Sequence, residues 1–177
     1  MKPTNPDHDF RASWRWPPDF EKWVATHCEG ETINVFAGLS PIGDIGIDLQ
    51  SPQELRSSTD ELDQPAVDRA TIQADGFGTL PIVDDAFDTT VADPPWKDIS
   101  DRRRRRLFDE LVRITKPGGR IIFNAWWIPD HRLVSVDDVR IRQDTDRYSQ
   151  GTPSTSFATI YTVHETRIES KSEVYSA

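Results

Sequence analysis

The chain has 177 residues, enough for one domain with a substantial core, and contains no apolar run of the ~18 residues that a membrane-spanning helix requires. Its single cysteine, Cys28, excludes an internal disulfide and any multi-cysteine metal centre, and no His or Cys pair stands at a metal-ligand spacing, so no metal is expected. The net charge of −9 rests on 21 Asp against 9 Glu, with 16 Arg and only 5 Lys; the pattern fits a halophilic protein or an ordinary acidic one, and a charged N-terminus without an apolar signal core points to a soluble, cytoplasmic protein.

Residues 1–17 are polar and proline-interrupted but carry Phe10, Trp14 and Trp16, too many large aromatics for a free tail, and are expected to dock on the core. Asp19 to His27 reads as a short helix, with Pro17-Pro18 before it and Phe20, Trp23, Val24 and His27 near one face. Cys28-Glu29-Gly30 ends it, and His27 reads as a helix-end residue. An apolar strand from Thr32 then runs into Ala37-Gly38-Leu39-Ser40-Pro41-Ile42-Gly43, a small-residue turn where missing side chains let backbone N–H groups approach a nucleotide-like cofactor. The next strand, Ile45 to Leu49, carries the acid Asp48 near its end. A parallel crossover usually takes a dozen or more residues and contains a helix, yet the interval from Gly38 to Asp48 has no room for one. Either a tight loop makes the crossover, which Gly43 and Gly46 make feasible, or these strands form some other unit.

Residues 51–70 are polar and acidic, show no buried face, and are expected to form an exposed loop. Thr71 to Asp75 reads as a third strand followed by Gly76-Phe77-Gly78, where Asp75 either meets a ligand or caps its own turn. Phe87 to Ala92 is apolar and β-branched, the pattern of a buried strand, and it stops abruptly at Asp93-Pro94-Pro95-Trp96. Two prolines make a stiff corner whose carbonyls enter no ladder, Asp93 supplies an acceptor-only carboxylate, and Trp96 supplies a flat face. A planar amino group fits this trio, its N–H groups on Asp93 and the Pro94 carbonyl, its ring on Trp96, and its lone pair aimed at an electrophile.

Asp93-Pro94-Pro95-Trp96 resembles the [DN]PP[YFW] motif of S-adenosylmethionine-dependent amino-methyltransferases, the N6-adenine and N4-cytosine enzymes above all, and the order of elements from Asn34 to Asn124 matches as well. The resemblance implies an α/β fold: a Rossmann-like class I methyltransferase sheet, mostly parallel, with a terminal antiparallel strand pair and, in this chain, reduced helices. It implies S-adenosylmethionine as cofactor, with Ala37, Gly38, Ser40 and Gly43 in the glycine turn, Asp48 on the ribose hydroxyls, and Asp75, Gly76 and Phe77 at the adenine. Asp93, Pro94, Pro95 and Trp96 become the catalytic candidates, and Lys97, Asn124, Arg102 and Arg103 the substrate-binding ones. The implied acceptor is an amino nitrogen of a nucleobase in DNA or RNA, with a separate specificity subunit as a further partner.

Asp98 to Thr115 is helical in pattern, with Ser100 or Asp101 as N-cap and an apolar stripe of Leu107, Phe108, Leu111, Val112 and Ile114. The run Arg102 to Arg106 opens this helix, where like charges oppose its dipole, and reads either as phosphate-binding or as a solvated face. Lys116-Pro117-Gly118-Gly119 is expected to separate the helix from a strand over Ile121 to Trp126, with Asn124 at its ligand-binding end. Trp126 and Trp127 read as pocket wall or core cover, at least one of them core. Val134 to Arg142 and Ser156 to His164 are expected as a final strand pair joined through Tyr148 to Pro153. The expected organisation is an N-terminal aromatic arm and helix over 1–30, a methyltransferase domain over 31–165 and a flexible tail over 166–177. The rival readings are a catalytically inactive module that binds nucleic acid or a protein partner, and a methyltransferase for a small-molecule or protein amide.

Overall fold

The structure, a computed structural model, describes residues 16, 18–57, 69–95, 99–144 and 154–165. Phe10, Trp14, the catalytic candidate Trp96, the substrate candidate Lys97, the Tyr148 to Pro153 connection and the 166–177 tail lie outside them. In chain order the elements are α1 (Pro18–His27), β1 (Thr32–Val35), β2 (Ile45–Asp48), α2 (Pro52–Ser57), β3 (Ala70–Gln73), β4 (Phe87–Ala92), α3 (Asp101–Ile114), β5 (Thr115–Ala125), β6 (Val134–Asp144) and β7 (Ser154–Val163). The strands form one sheet in the order β3-β2-β1-β4-β5-β7-β6. The pairs from β3 through β5 are parallel, and β7 runs antiparallel to both β5 and β6. The expected α/β sheet with its terminal antiparallel pair is the one observed. No helix among the described residues is long and apolar enough to cross a membrane.

Strand alternation divides the core between the two faces. Ile33, Val35, Ala92, Ile121 and Phe123 point to the face covered by α3, where they meet Leu107, Phe108, Leu111 and Ile114. Val91, Ile122 and Ala158 point to the other face, under Phe20 and Val24 of α1 and the Trp16 ring. Burying each large apolar side chain contributes roughly 1.5–3 kcal/mol, so the α3 stripe is the main fastening of that face. Ser100 caps α3, its hydroxyl accepting the Arg103 N–H at 3.4 Å.

The first crossover contains no helix. Asp44 closes the loop with its N–H on the Thr32 carbonyl at 2.8 Å, while its carboxylate accepts the Thr32 N–H at 2.8 Å. Gly43 makes the turn possible: its φ is +93°, and a Cβ there would stand 3.2 Å from the Asn34 backbone nitrogen. The α1-side face left bare by the missing helix is closed by buried Ile42 and by Arg69, whose guanidinium lies over Gly46 and donates to the Ser40 carbonyl at 2.7 Å.

Two expectations need correction. Residues 52–57 are not loop but helix α2, and Leu55 gives it a buried face, with 1 % of its surface exposed. Ser51 and Glu54 form a reciprocal capping box: the Ser51 N–H donates to Glu54 Oε2 at 2.7 Å and the Glu54 N–H to Ser51 Oγ at 3.3 Å. Lys116-Pro117-Gly118-Gly119 does not separate α3 from β5 either. The chain enters β5 at Thr115, which pairs with Phe87, and the four residues bulge before Arg120 pairs with Thr89. Lys116 secures the bulge through Asp88 Oδ1 at 2.9 Å, and Asp88 Oδ2 accepts the Glu31 N–H at 2.9 Å. The Lys116 hydrogen bond first, then the Glu31 N–H, hold the Asp88 carboxyl below its ordinary range.

Candidate active site

The carboxyl ends of the parallel strands bring the candidates together. β4 ends at Ala92, and the alternation that turns Val91 toward α1 turns Asp93 the same way. There its carboxylate is held from two sides: Asn124 Nδ2, at the end of β5, donates to Oδ1 at 3.1 Å, and the Trp16 indole N–H donates to Oδ2. Pro94 is buried and Pro95 exposed, so the corner has one face in the protein and one in solvent. An ionised carboxylate only accepts, so the Asn124 amide must present its nitrogen to it. The Asn124 carbonyl oxygen therefore faces elsewhere, and it is buried without a donor, in a residue only 2 % exposed.

A second group forms at β1 and β2. Asp48 closes the glycine turn, Oδ2 accepting the Gly38 N–H at 2.9 Å and Oδ1 the Gln50 N–H at 3.1 Å. A carboxylate has about four lone-pair sites, and these two N–H groups use two of them. Ala37 and Ser40 are buried in this turn, and the Ser40 hydroxyl is directed inward, donating to Glu21 Oε1 at 3.4 Å and accepting the Ile42 N–H at 3.3 Å. Beneath the turn, Asn34 Nδ2 donates to the Ile42 carbonyl at 3.2 Å while its own Oδ1 is buried without a donor.

At the third position, Asp75 Oδ1 accepts the Phe77 N–H at 3.0 Å, the side chain capping its own turn. Its other oxygen lies 3.8 Å from Arg103, which stacks on the Phe77 ring at 4.5 Å. Phe36 leaves β1 with φ +63°, a conformation rare for a bulky residue, and its ring lies 4.9 Å from that of Phe77. Gly76 leaves room for that ring: a Cβ would stand 2.5 Å from it, so the Phe36 ring would have to shift. On the β5 side Arg104 stacks on Trp126 at 4.4 Å and Trp127 at 4.8 Å; Trp127 packs on the core while Trp126 stays 44 % exposed. Arg102 is exposed.

Trp16 and Phe36 were not legible as site residues. Trp16 lies 77 residues from Asp93 in sequence, and only chain folding brings them into register. A left-handed Phe36 carries no sequence signal. His27 behaves as a helix-end residue, its Nδ1 2.8 Å from the Trp23 carbonyl, and no metal-competent cluster occurs among the described residues.

A cleft of about 580 Å³ opens elsewhere, between α1 and the 41–44 turn, lined by Glu21, Lys22, Cys28, Ile42 and Asp44 among others. Neither Asp48 nor Asp93 borders it. Burial first, then the Asp44 charge, push the Cys28 thiol up to about 11, against a smaller opposing hydrogen bond with Thr32. Alkylation by iodoacetamide at pH 8 is accordingly expected to run about a hundredfold slower than with free cysteine, since only the thiolate reacts. Labelling followed by mass spectrometry measures this, and a free-cysteine rate would show that Cys28 is not shielded.

No family model and no curated protein matches this sequence. Solved structures do match in fold. A methyltransferase from Methanosarcina mazei described as S-adenosylmethionine-dependent superposes with a TM-score of 0.56 at 13 % identity, over 85 % of this chain and 99 % of that one. The chain has the class I methyltransferase fold. A putative Haloferax volcanii methyltransferase, solved in complex with the activator Trm112, shares the fold with a TM-score of 0.57 at 16 % identity, over 92 % of both chains. A 16S rRNA adenine N1-methyltransferase from Catenulisporales acidiphilia matches with a TM-score of 0.50 at 13 % identity, over 86 % of this chain and 95 % of that one. Within this methyltransferase fold, Asp93 follows the fourth strand and Asp48 ends the second.

Proposed function

We propose that the protein transfers a methyl group from S-adenosylmethionine to an amino nitrogen, most naturally the exocyclic amino group of adenine or cytosine in DNA or RNA. The observation that carries this reading is the Asp93 carboxylate, held between Trp16 and Asn124 at the carboxyl end of β4 in a methyltransferase sheet. The groups around the glycine turn fit the cofactor. Asp48 retains lone pairs for the ribose hydroxyls, and Gly76 with the rings of Phe36 and Phe77 supplies an apolar bed for adenine. Bound there, S-adenosylmethionine supplies a sulfonium methyl that is already electrophilic.

The chain's own task is then positioning. Asp93 and the Pro94 carbonyl accept the two N–H groups of the acceptor, which aims the nitrogen lone pair out of the hydrogen-bonding plane, and the Trp96 ring is the proposed stacking face. Holding the reacting atoms in line is the main source of rate in such a transfer. Arg102 and Arg103, with Lys97, are proposed to contact phosphates of the substrate. Residence in a salt-rich cytoplasm and help from a partner subunit belong to the same proposal, the first from composition and the second by likeness to the neighbour solved with an activator.

Calorimetric titration with S-adenosylmethionine and S-adenosylhomocysteine in high-salt buffer tests the reading. Saturable binding is expected, weakened about tenfold to a hundredfold by Asp48→Ala, the range for losing one hydrogen bond to a charged group. One observation favours the rival, a module that binds without catalysing: the Phe36 ring lies directly on Gly76, where the adenine is to be seated. Absence of binding to a protein shown to be folded supports that module and ends the enzyme reading.

A further inference from the structure

The two unusual features beside Asp93 explain each other. Trp16 places a flat aromatic ring with one N–H on the carboxylate, the same type of donor that an aromatic amine would present. The Asn124 amide, whose nitrogen donates to the same carboxylate, keeps its carbonyl oxygen buried with no donor. An indole carries one N–H; an amino group carries two. Trp16 gives its one N–H to Asp93 from one side, and the amide that holds Asp93 from the other side keeps an acceptor unused.

We propose that Trp16 is an internal occupant of the amino-group subsite, and that the Asn124 carbonyl oxygen is the second acceptor of that subsite. A planar ring bearing –NH2 exchanges for the indole, giving one N–H to Asp93 and the other to the Asn124 oxygen, which takes the part given above to the Pro94 carbonyl. Both of these groups accept, so the subsite selects an amino-bearing ring over the otherwise identical ring that carries a carbonyl, whose oxygen would face the Asp93 and Asn124 oxygens. Trp16 thereby acts as a competitor that a ligand must displace. The inference rests on the amino-acceptor reading above and adds to it both the discriminating residue and the competitor.

The test uses the full chain and free bases: 1-methylcytosine against 1-methyluracil, and 9-methyladenine against 9-methylhypoxanthine, the members of each pair differing by amino against carbonyl. Six tryptophans give six indole N–H resonances in a ¹⁵N-labelled sample, and Trp16→Phe assigns the one of interest. The amino-bearing member of at least one pair is expected to shift the Trp16 resonance, and to bind Trp16→Phe about tenfold tighter than the parent chain, since the competing hydrogen bond is gone. Its preference over the carbonyl member is expected to fall about tenfold or more in Asn124→Ala, or in the volume-conserving Asn124→Leu should the alanine variant not fold. Equal binding of both members of each pair, an unmoved Trp16 resonance, or a preference unchanged by loss of the Asn124 amide overturns the proposal. Titration with S-adenosylmethionine is read separately: discrimination between bases without cofactor binding removes methyl transfer and leaves the subsite, and the converse removes the subsite alone.

Discussion

Asp93→Ala is expected to lower methyl transfer by on the order of 10²–10³-fold, the usual cost of removing one preorganised group at a reacting centre, while S-adenosylmethionine binds with nearly unchanged affinity. The separation follows from the architecture. Asp93 stands after β4, and the proposed cofactor contacts stand after β1, β2 and β3. The substitution also strands two donors, the Trp16 indole N–H and Asn124 Nδ2, each of which then costs about 1–3 kcal/mol if no water replaces the carboxylate. A thermal melt must therefore accompany the assay, and Asp93→Asn, which keeps the volume and one acceptor, separates loss of fold from loss of chemistry. Transfer of tritium from labelled S-adenosylmethionine to total RNA and to denatured DNA gives the rate, and calorimetry gives the cofactor affinity. Full activity in a folded Asp93→Ala protein would remove Asp93 from the mechanism.

Phe123→Ala is expected to be the most destabilising single truncation in the core, by about 3–5 kcal/mol. Phe123 is fully buried near the carboxyl end of β5, edge-on to Phe108 of α3 at 5.6 Å and to Trp127 at 5.6 Å. Phe108 contacts Tyr161 of β7 in turn at 5.0 Å, so the cavity would open where α3, β5 and β7 meet. A loss of that size is a large part of the 5–15 kcal/mol by which domains of this kind are stable. Chemical denaturation in molar salt measures it, with Val136→Ala as the control. Val136 is half-exposed on β6, and its truncation is expected to change stability by less than about 0.5 kcal/mol. Comparable losses in the two variants would show that the α3 face is not the centre of the fold.

The sequence by itself determined the elements whose signal is local. Phe87–Ala92 is a strand because its β-branched residues fit a buried ladder and Asp93-Pro94-Pro95 cannot continue one. The α3 stripe, a cap at Ser100 or Asp101, of which the structure takes Ser100, and the absence of a helix in the first crossover are likewise matters of spacing along the chain. The capping box at Ser51 was equally local and was passed over because the acidic composition around it read as loop; the buried side of Leu55 exists only because the sheet lies beneath it. What the tertiary structure alone decided is how distant residues meet. Lys116 to Gly119 became a bulge inside β5 because Thr115 pairs with Phe87 across the sheet, an effect no window of neighbouring residues contains. The same holds for the candidate site. Asp93 and Asn124 were each legible from where their strands end, but the hydrogen bond between them, the indole of Trp16 on the second oxygen and the unfilled carbonyl of Asn124 arise from register between strands and from the docking of α1, which are set by packing over the whole sheet.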